Sequence, residues 1–358
     1  MNSFHIPTTQ NGVADEPLLV VRGLTTRFPT ERGPLTAVDD VSFSINPGEI
    51  FGLVGESGSG KTAAIRSLIG LVPRPGKVVA GSVQYRGQDL LRLDERRLRA
   101  IRGREIAMIF QDPATALNPV VRVETQITEM ILAHGAATRS TAREQAIGLL
   151  RAVGIPAPEQ RLRDYPHQFS GGMAQRVVIA IAIAANPRLL LADEPTTALD
   201  VTIQDQILAL LVQLQRDRGM GMILVTHNLG VVAETCDRVG VMYAGQLAEV
   251  APTAELLRRP RHPYTLGLLS CVPRVEHRTD ELRPIPGTIP DLVQPPEGCR
   301  FHPRCSFATN ECRHGTMPLL PVGHGHWSAC IHHSRLADAD SVEHRMAVTT
   351  SATTAGEN

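Results

Sequence analysis

No stretch of this sequence is apolar for long enough to cross a bilayer. The longest apolar run, residues 177–185, falls well short of the roughly 20 residues a spanning helix needs. The N-terminus lacks a basic segment followed by an apolar core, the pattern of a secretory signal. The expectation is a protein kept in the cytoplasm and joined to a membrane only through a partner. An excess of charge of one sign is also missing: Lys+Arg and Asp+Glu each number 36. General nucleic-acid binders carry a basic excess, so the balance argues against that class. Aromatics are scarce, at 4%, so the core must be built mainly from Leu, Ile, Val and Ala.

What is present is a chain of 358 residues, 42% of them hydrophobic. That is enough for one large domain with an appendage, or for two modest domains. Residues 17–26 have β-type content, and 41–45 alternate as a strand does. Short apolar runs at 50–54, 189–192 and 222–225 read as buried strands. Helical patterns occupy 60–70, much of 123–153 with a polar break at 134–140, 175–185 and 204–216. Strands alternating with helices predict a parallel α/β sheet covered on both faces. Prolines become frequent from Pro260 onward, and long regular elements cannot persist among them. The expected organisation is a loose leader at 1–16, a nucleotide-binding domain at 17–257, a loop-rich module at 258–336 and a disordered tail at 337–358.

Gly55-Glu56-Ser57-Gly58-Ser59-Gly60-Lys61-Thr62 follows a buried strand and opens a helix. It matches G-x-x-x-x-G-K-[ST] in full. Glycines let the backbone wrap a phosphate without a Cβ in the way, and successive N–H groups with the helix N-terminus face the anion. Lys61 reaches the β and γ phosphates, and Thr62 offers a hydroxyl to Mg²⁺. A glycine-rich turn of purely structural purpose is the weaker reading. Leu189-Leu190-Leu191-Ala192 ends in Asp193 and Glu194. Asp193 can hold Mg²⁺ through water, and Glu194 can orient or deprotonate the attacking water. In isolation, an acidic pair capping a helix before Pro195 would be as good a reading.

Between these elements, Phe169-Ser170-Gly171-Gly172-Met173-Ala174-Gln175-Arg176 resembles the signature sequence of the ABC ATPases, with Phe169 where Leu is commoner. The resemblance covers about residues 18–257. It implies a mixed-sheet core with a β subdomain and a helical subdomain near 113–185. It also implies roles for single residues. Gln111 resembles the Q-loop glutamine, a Mg²⁺ ligand and permease sensor. Ala198-Leu199-Asp200 resembles the D-loop that crosses the dimer interface, and His227 the switch histidine on the γ-phosphate. Phe28 is the candidate to stack on adenine, with apolar core as the rival reading. Ser170, Gly171, Gly172 and Gln175 are expected to close over ATP held by a partner's phosphate loop. One chain carries one set, so a second ABC ATPase subunit, identical or paralogous, is required.

Gln111-Asp112-Pro113-Ala114-Thr115-Ala116-Leu117-Asn118-Pro119, His262-Pro263-Tyr264-Thr265 and Gly298-Cys299-Arg300-Phe301-His302-Pro303-Arg304-Cys305 resemble the oligopeptide/dipeptide (peptide/nickel) importer branch. That resemblance implies a peripheral subunit at the cytoplasmic face of the cell membrane. Its partners would be a paralogous ATPase, two transmembrane permeases and an external solute-binding protein. The cargo would be short peptides, with nickel, opines or glutathione as alternatives. A soluble, non-transport ABC protein is the rival class; those usually carry two tandem motif sets or a long coiled-coil insertion. Intact Lys61, Glu194 and His227 argue against a non-catalytic regulatory subunit.

Six cysteines occur, and Cys299, Cys305, Cys312 and Cys330 cluster near the end. Structural disulfides are rare in the cytosol, and clustered cysteines there more often bind metal. The C-x₂₋₄-C knuckles of zinc sites are missing, whereas four thiolates suit a 4Fe-4S cluster. The importer branch includes members with such a cluster at this motif. Zinc, in a mixed Cys/His site drawing on His302, His324 or His326, and free thiols remain the alternatives, and the expected role of a bound metal is structural. Cys236 and Cys271 read as small buried hydrophobes.

Overall fold

The alternating stretch near the N-terminus forms two long strands, Leu19–Thr30 and Gly33–Ile45, joined by a two-residue turn. Along the first, Leu19, Val21 and Leu24 are fully buried. Strand Lys77–Tyr85 pairs with it antiparallel, with Leu19 opposite Tyr85 and Val21 opposite Val83. The computed structural model describes residues 16–135, 137–197, 199–271 and 285–337. Most of the expected leader, Ala198 of the D-loop, Pro273 and Pro284, and nearly all of the expected tail lie outside the described residues. The chain divides into two units. Among the described residues, one contains 16–44, Phe51–Gln88 and those from Thr226 onward; the other contains Ile45–Ile50 and those of Asp89–Val225.

The first unit holds a second sheet in which the strands run, in spatial order, Leu320–Gly323, His326–Ser328, Gln246–Pro252, Arg238–Tyr243 and Ile50–Val54. Only the last pair is parallel, setting Phe51 opposite Arg238 and Val54 opposite Val241; the others are antiparallel. The sheet is therefore mixed, as the resemblance implied, and not parallel as the alternation of elements alone predicted. The reason is the hairpin at 238–252, whose turn places Ala244 and Gly245 at φ of 46° and 86°, the left-handed pair that tight two-residue hairpins demand. Phe43 stacks on Phe51 at 5.2 Å, with the Arg238 guanidinium 5.6 Å from the Phe51 ring.

The proline-rich C-terminal part is tied to this sheet by polar groups. Pro263 takes the first position of helix Pro263–Ser270, where its missing N–H is harmless. Glu249, fully buried in strand Gln246–Pro252, accepts from the His326 imidazole at 2.6 Å and from the backbone N–H groups of Arg261 and His262 at 2.6 and 3.1 Å. One carboxylate thus gathers three segments of chain. Tyr264 packs against Tyr243 and Phe301 at centroid distances of 4.5 and 5.4 Å.

The second unit is built on three parallel strands, Gly221–Thr226, Leu189–Asp193 and Ile106–Ile109. The first two are buried at every position, as expected of parallel strands covered on both faces. Helices Val123–Ala133 and Ala142–Ala152 flank the expected polar break. Helix Gly171–Ala182 starts a turn earlier than the apolar pattern indicates, because Ser170 caps it. Helix Val201–Arg218 runs from the Asp200 cap to Gly219 in the left-handed conformation and buries Ile207, Leu208, Leu211 and Leu214. No helix among the described residues is long and apolar enough to cross a membrane.

Glu249→Ala leaves the buried His326 ring and two amides without their shared acceptor. The expected loss is about 3 kcal/mol or more, read as a lowered denaturant midpoint of the full chain.

Candidate functional site

In the first unit, residues 55–62 link the buried strand Ile50–Val54 to helix Lys61–Leu68. The glycines at the two ends of the loop are required sterically. Gly55, at φ 153°, would place a Cβ 2.1 Å from the Met242 carbonyl oxygen, and Gly60, at φ 102°, would place one 2.2 Å from that of Ala37. Real Cβ atoms never come so close, so the backbone must stay bare there. At Gly58 a Cβ would meet nothing within 4 Å, so the middle of the loop is open. Lys61 is buried at 5% exposure, and its ammonium donates to the carbonyls of Gly55 and Glu56 at 2.8 and 2.9 Å. The charge is folded back over the loop. Ser59 is fully buried, and its carbonyl accepts from Gly245 N–H at 2.9 Å.

His227, exposed, follows directly after strand Gly221–Thr226; Asn228 then caps the next helix by accepting from Gly230 N–H at 2.8 Å. Phe28 lies near the end of strand Leu19–Thr30, half-buried, with its ring against Gly76, where a Cβ would fall 2.4 Å from a ring carbon. The contact shows which glycine the ring needs.

In the second unit, Asp193 closes its strand with no exposure to solvent. Glu194 follows at φ 44°, an uncommon conformation for a non-glycine residue and one that clusters at functional sites. Its N–H donates to the Val225 carbonyl at 3.1 Å. Its carboxylate accepts from the Gln111 amide at 3.2 Å and from the Thr197 hydroxyl at 2.8 Å. Residues 83 apart in sequence are thus brought into contact. Thr197 is a partner that no motif announced; only its three-residue spacing after Glu194 hinted at it.

The signature and D-loop residues also meet. Ser170 caps its helix, accepting from Met173 N–H at 3.4 Å. A Cβ at Gly172 would reach Ile203 at 2.7 Å, and one at Gly171 would reach Leu199 at 3.5 Å. Asp200 accepts from Ile203 N–H at 3.0 Å. Ser170 and Gly171 are exposed, so their helix N-terminus is open to an anion. Gln175 is corrected: at 1% exposure it faces inward. Gln175, Val178, Ile179 and Ala182 recur at helical spacing and are all buried.

The four C-terminal cysteines line one pocket together with Phe301, Phe307 and Met317. Backbone N–H groups two residues on donate to three of the sulfurs: Phe301 to Cys299, Phe307 to Cys305 and His332 to Cys330. Such bonds favour thiolate character. Burial opposes it, raising the Cys299 thiol and pushing Cys305 and Cys330 up to about 12. Among the described residues, no group of three or more His, Cys, Asp or Glu side chains is placed to hold a metal ion. His262, His302 and His332 line the same pocket. Of the histidines named as zinc alternatives, His326 is engaged by Glu249, and His302 Nδ1 lies 2.9 Å from the Cys299 carbonyl oxygen. Cys236 is buried as expected, whereas Cys271 is exposed, because helix Pro263–Ser270 ends before it and does not turn it inward.

Gly60→Ala puts a methyl group against the Ala37 carbonyl in a left-handed backbone. The expected outcome is a loss of about 2 kcal/mol or more and of retention on an immobilised ATP resin.

The chain was compared with known proteins. Residues 38–197 match the model of the ABC transporter family, and residues 248–312 match that of the oligopeptide/dipeptide transporter C-terminal region. A dipeptide transport ATP-binding protein of Escherichia coli is 48% identical over 322 residues, covering 90% of this chain and 98% of that one. Its namesake from Bacillus subtilis is 50% identical over 291 residues, covering 81% and 87%. A dimeric, post-hydrolysis ATP-binding cassette bound to ADP and Pi superposes with a TM-score of 0.59 at 27% identity, covering 66% of this chain and 98% of that one. With near-complete coverage at this identity, the chain belongs to the ATP-binding proteins of the ABC transporter family.

Proposed function

We propose that this chain is the ATP-hydrolysing subunit of an importer of short peptides. The observation that carries the catalytic part is the Gln111–Glu194 contact beside the buried Asp193. It holds a carboxylate in one orientation at the end of a buried strand, as a group that must aim a water molecule requires. Gly55, Glu56, Ser57, Gly58, Ser59, Gly60, Lys61 and Thr62 bind the phosphates. Lys61 swings from the Gly55 and Glu56 carbonyls to the β and γ phosphates. Glu194 orients and deprotonates the attacking water, and His227 contacts the γ-phosphate. The family resemblance assigns Mg²⁺ to the Thr62 hydroxyl, the Gln111 amide oxygen and the Asp193 carboxylate, each an oxygen donor that suits this hard ion, and the ion would offset the phosphate charge. Phe28 is assigned to the adenine ring.

Ser170 and Gly171, with Gly172 packed on Ile203, form the surface that closes over ATP on a second ABC ATPase subunit, with Asp200 at the junction. Gln175 is left out of that contact. Because its partners are supplied by two chains, ATP favours the closed dimer and hydrolysis releases it. The motion is passed to two transmembrane permeases at the inner face of the membrane, and an external binding protein delivers the solute. A paralogous partner is the preferred reading. Peptide cargo is supported by the dipeptide transport relatives and by the C-terminal match; nickel, opine or glutathione import would use the same engine.

Cys299, Cys305, Cys312 and Cys330 would hold a 4Fe-4S cluster as a structural staple. Sulfurs spread around an apolar pocket, three of them receiving backbone N–H groups, suit a cube with four corners better than a single zinc ion.

Glu194→Gln is expected to lower hydrolysis at least 100-fold while ATP binding persists. Hydrolysis at the native rate would remove Glu194 from the base role. Chain purified without oxygen is expected to be brown and to carry about four irons; stoichiometric zinc without iron would replace the cluster by a zinc site. Uptake by the complete transporter, with dipeptides competed by nickel or glutathione, selects the cargo. Purification without any permease would favour a soluble ABC protein instead.

A further inference from the structure

Glu56, the second residue of the phosphate loop, is engaged at every polar group. Its N–H donates to the Tyr264 hydroxyl at 2.8 Å, and its carbonyl accepts from Lys61 at 2.9 Å. Its carboxylate accepts a fork from Arg304, Nη1 to Oε2 at 2.7 Å and Nη2 to Oε1 at 3.1 Å. Arg304 immediately precedes Cys305, and its side chain is only 4% exposed. Its remaining donors reach the Tyr243 hydroxyl and the carbonyls of Pro286 and Ile285 at 3.3, 2.7 and 3.3 Å. All five N–H groups of the guanidinium are therefore used, and its plane can lie only one way.

Four residues earlier, Arg300 makes a parallel attachment. It donates to the Asp39 carboxylate and to the Ala244 carbonyl. The next residue of that turn, Gly245, donates to the carbonyl of Ser59 in the phosphate loop at 2.9 Å and accepts from Asp39 N–H at 2.8 Å. Between the two arginines, Phe301 packs on Tyr243 at 5.2 Å and on Tyr264 at 5.4 Å. Residues 299–305 thus hold the loop directly at Glu56, and bear on Ser59 only through the turn at Ala244 and Gly245.

We infer that Arg304, supported by Arg300, is a positioning residue for ATP binding: the cysteine-bearing segment holds the phosphate loop in its anion-binding shape through Glu56. The chemistry needs it. A carboxylate within a loop that receives a polyanion repels the ligand unless a cation neutralises it and holds it aside. A fork from one arginine does both. The inference rests on the reading of residues 55–62 as the site of the ATP phosphates. It explains why a loop-rich segment far along the chain inserts two buried arginines beside that site.

The test measures the equilibrium affinity of the full-length chain for a fluorescent ATP analogue, and KM and kcat for ATP in the complete transporter. Circular dichroism confirms that each variant is folded at the assay temperature. Arg304→Met is expected to weaken binding and raise KM about tenfold with kcat changed less than about twofold. Arg304→Lys, which keeps the charge but not the fork, is expected to fall between wild type and Arg304→Met. In a Glu56→Gln background, Arg304→Met is expected to cost less than about threefold, since the charge it neutralises is gone. A folded Arg304→Met with wild-type affinity overturns the inference, as does the same tenfold loss in the Glu56→Gln background. Wild-type chain that binds no ATP would instead overturn the reading of the loop itself, so the two failures are separable.

Discussion

The structure depends on backbone running against backbone around residues 55–62. Gly55 and Gly60 lie so close to the carbonyls of Met242 and Ala37 that no side chain fits. Those two carbonyls belong to the hairpin at 238–252 and to strand Gly33–Ile45. The loop is therefore shaped from outside. Lys61, folded onto the carbonyls of Gly55 and Glu56, keeps the charge inside that shape.

The C-terminal segment takes part in the same constraint. Glu249 collects the chain at 261, 262 and 326, and Tyr243, Tyr264 and Phe301 pack on one another. From that platform Arg300 and Arg304 enter the ATPase core. A part of the chain that reads as a loop-rich appendage is, in its contacts, continuous with the phosphate loop. Cys299 and Cys305 bracket that short segment, each next in sequence to one of the two arginines.

The second unit works by a different economy of parts. Its strands are apolar throughout, and its chemistry is placed at their ends. Asp193 ends the strand and Glu194 follows it in a left-handed backbone conformation. Gln111 and Thr197 then hold Glu194. The signature glycines and the residues that lead into helix Val201–Arg218 pack on each other.

Motifs whose chemistry is local were legible from residue order. The loop at 55–62 and the strand ending at Asp193 each rest on neighbours a few positions away, and their spacing is enough to name them; the cap at Ser170, which starts its helix a turn early, was not read. Buried strands of continuous apolar residues were legible for the same reason. The sequence did not disclose the antiparallel hairpin at 238–252, the inward face of Gln175, the exposure of Cys271, or the bonds from Arg304 to Glu56 and from Gln111 to Glu194. Each of these depends on which distant segment supplies the opposite wall. Glu56 and Arg304 are 248 residues apart, and no periodicity spans that distance. Local order determined what the loop can bind; only the tertiary structure decided what holds it, because a hydrogen-bond partner is chosen by position in space and not by position along the chain.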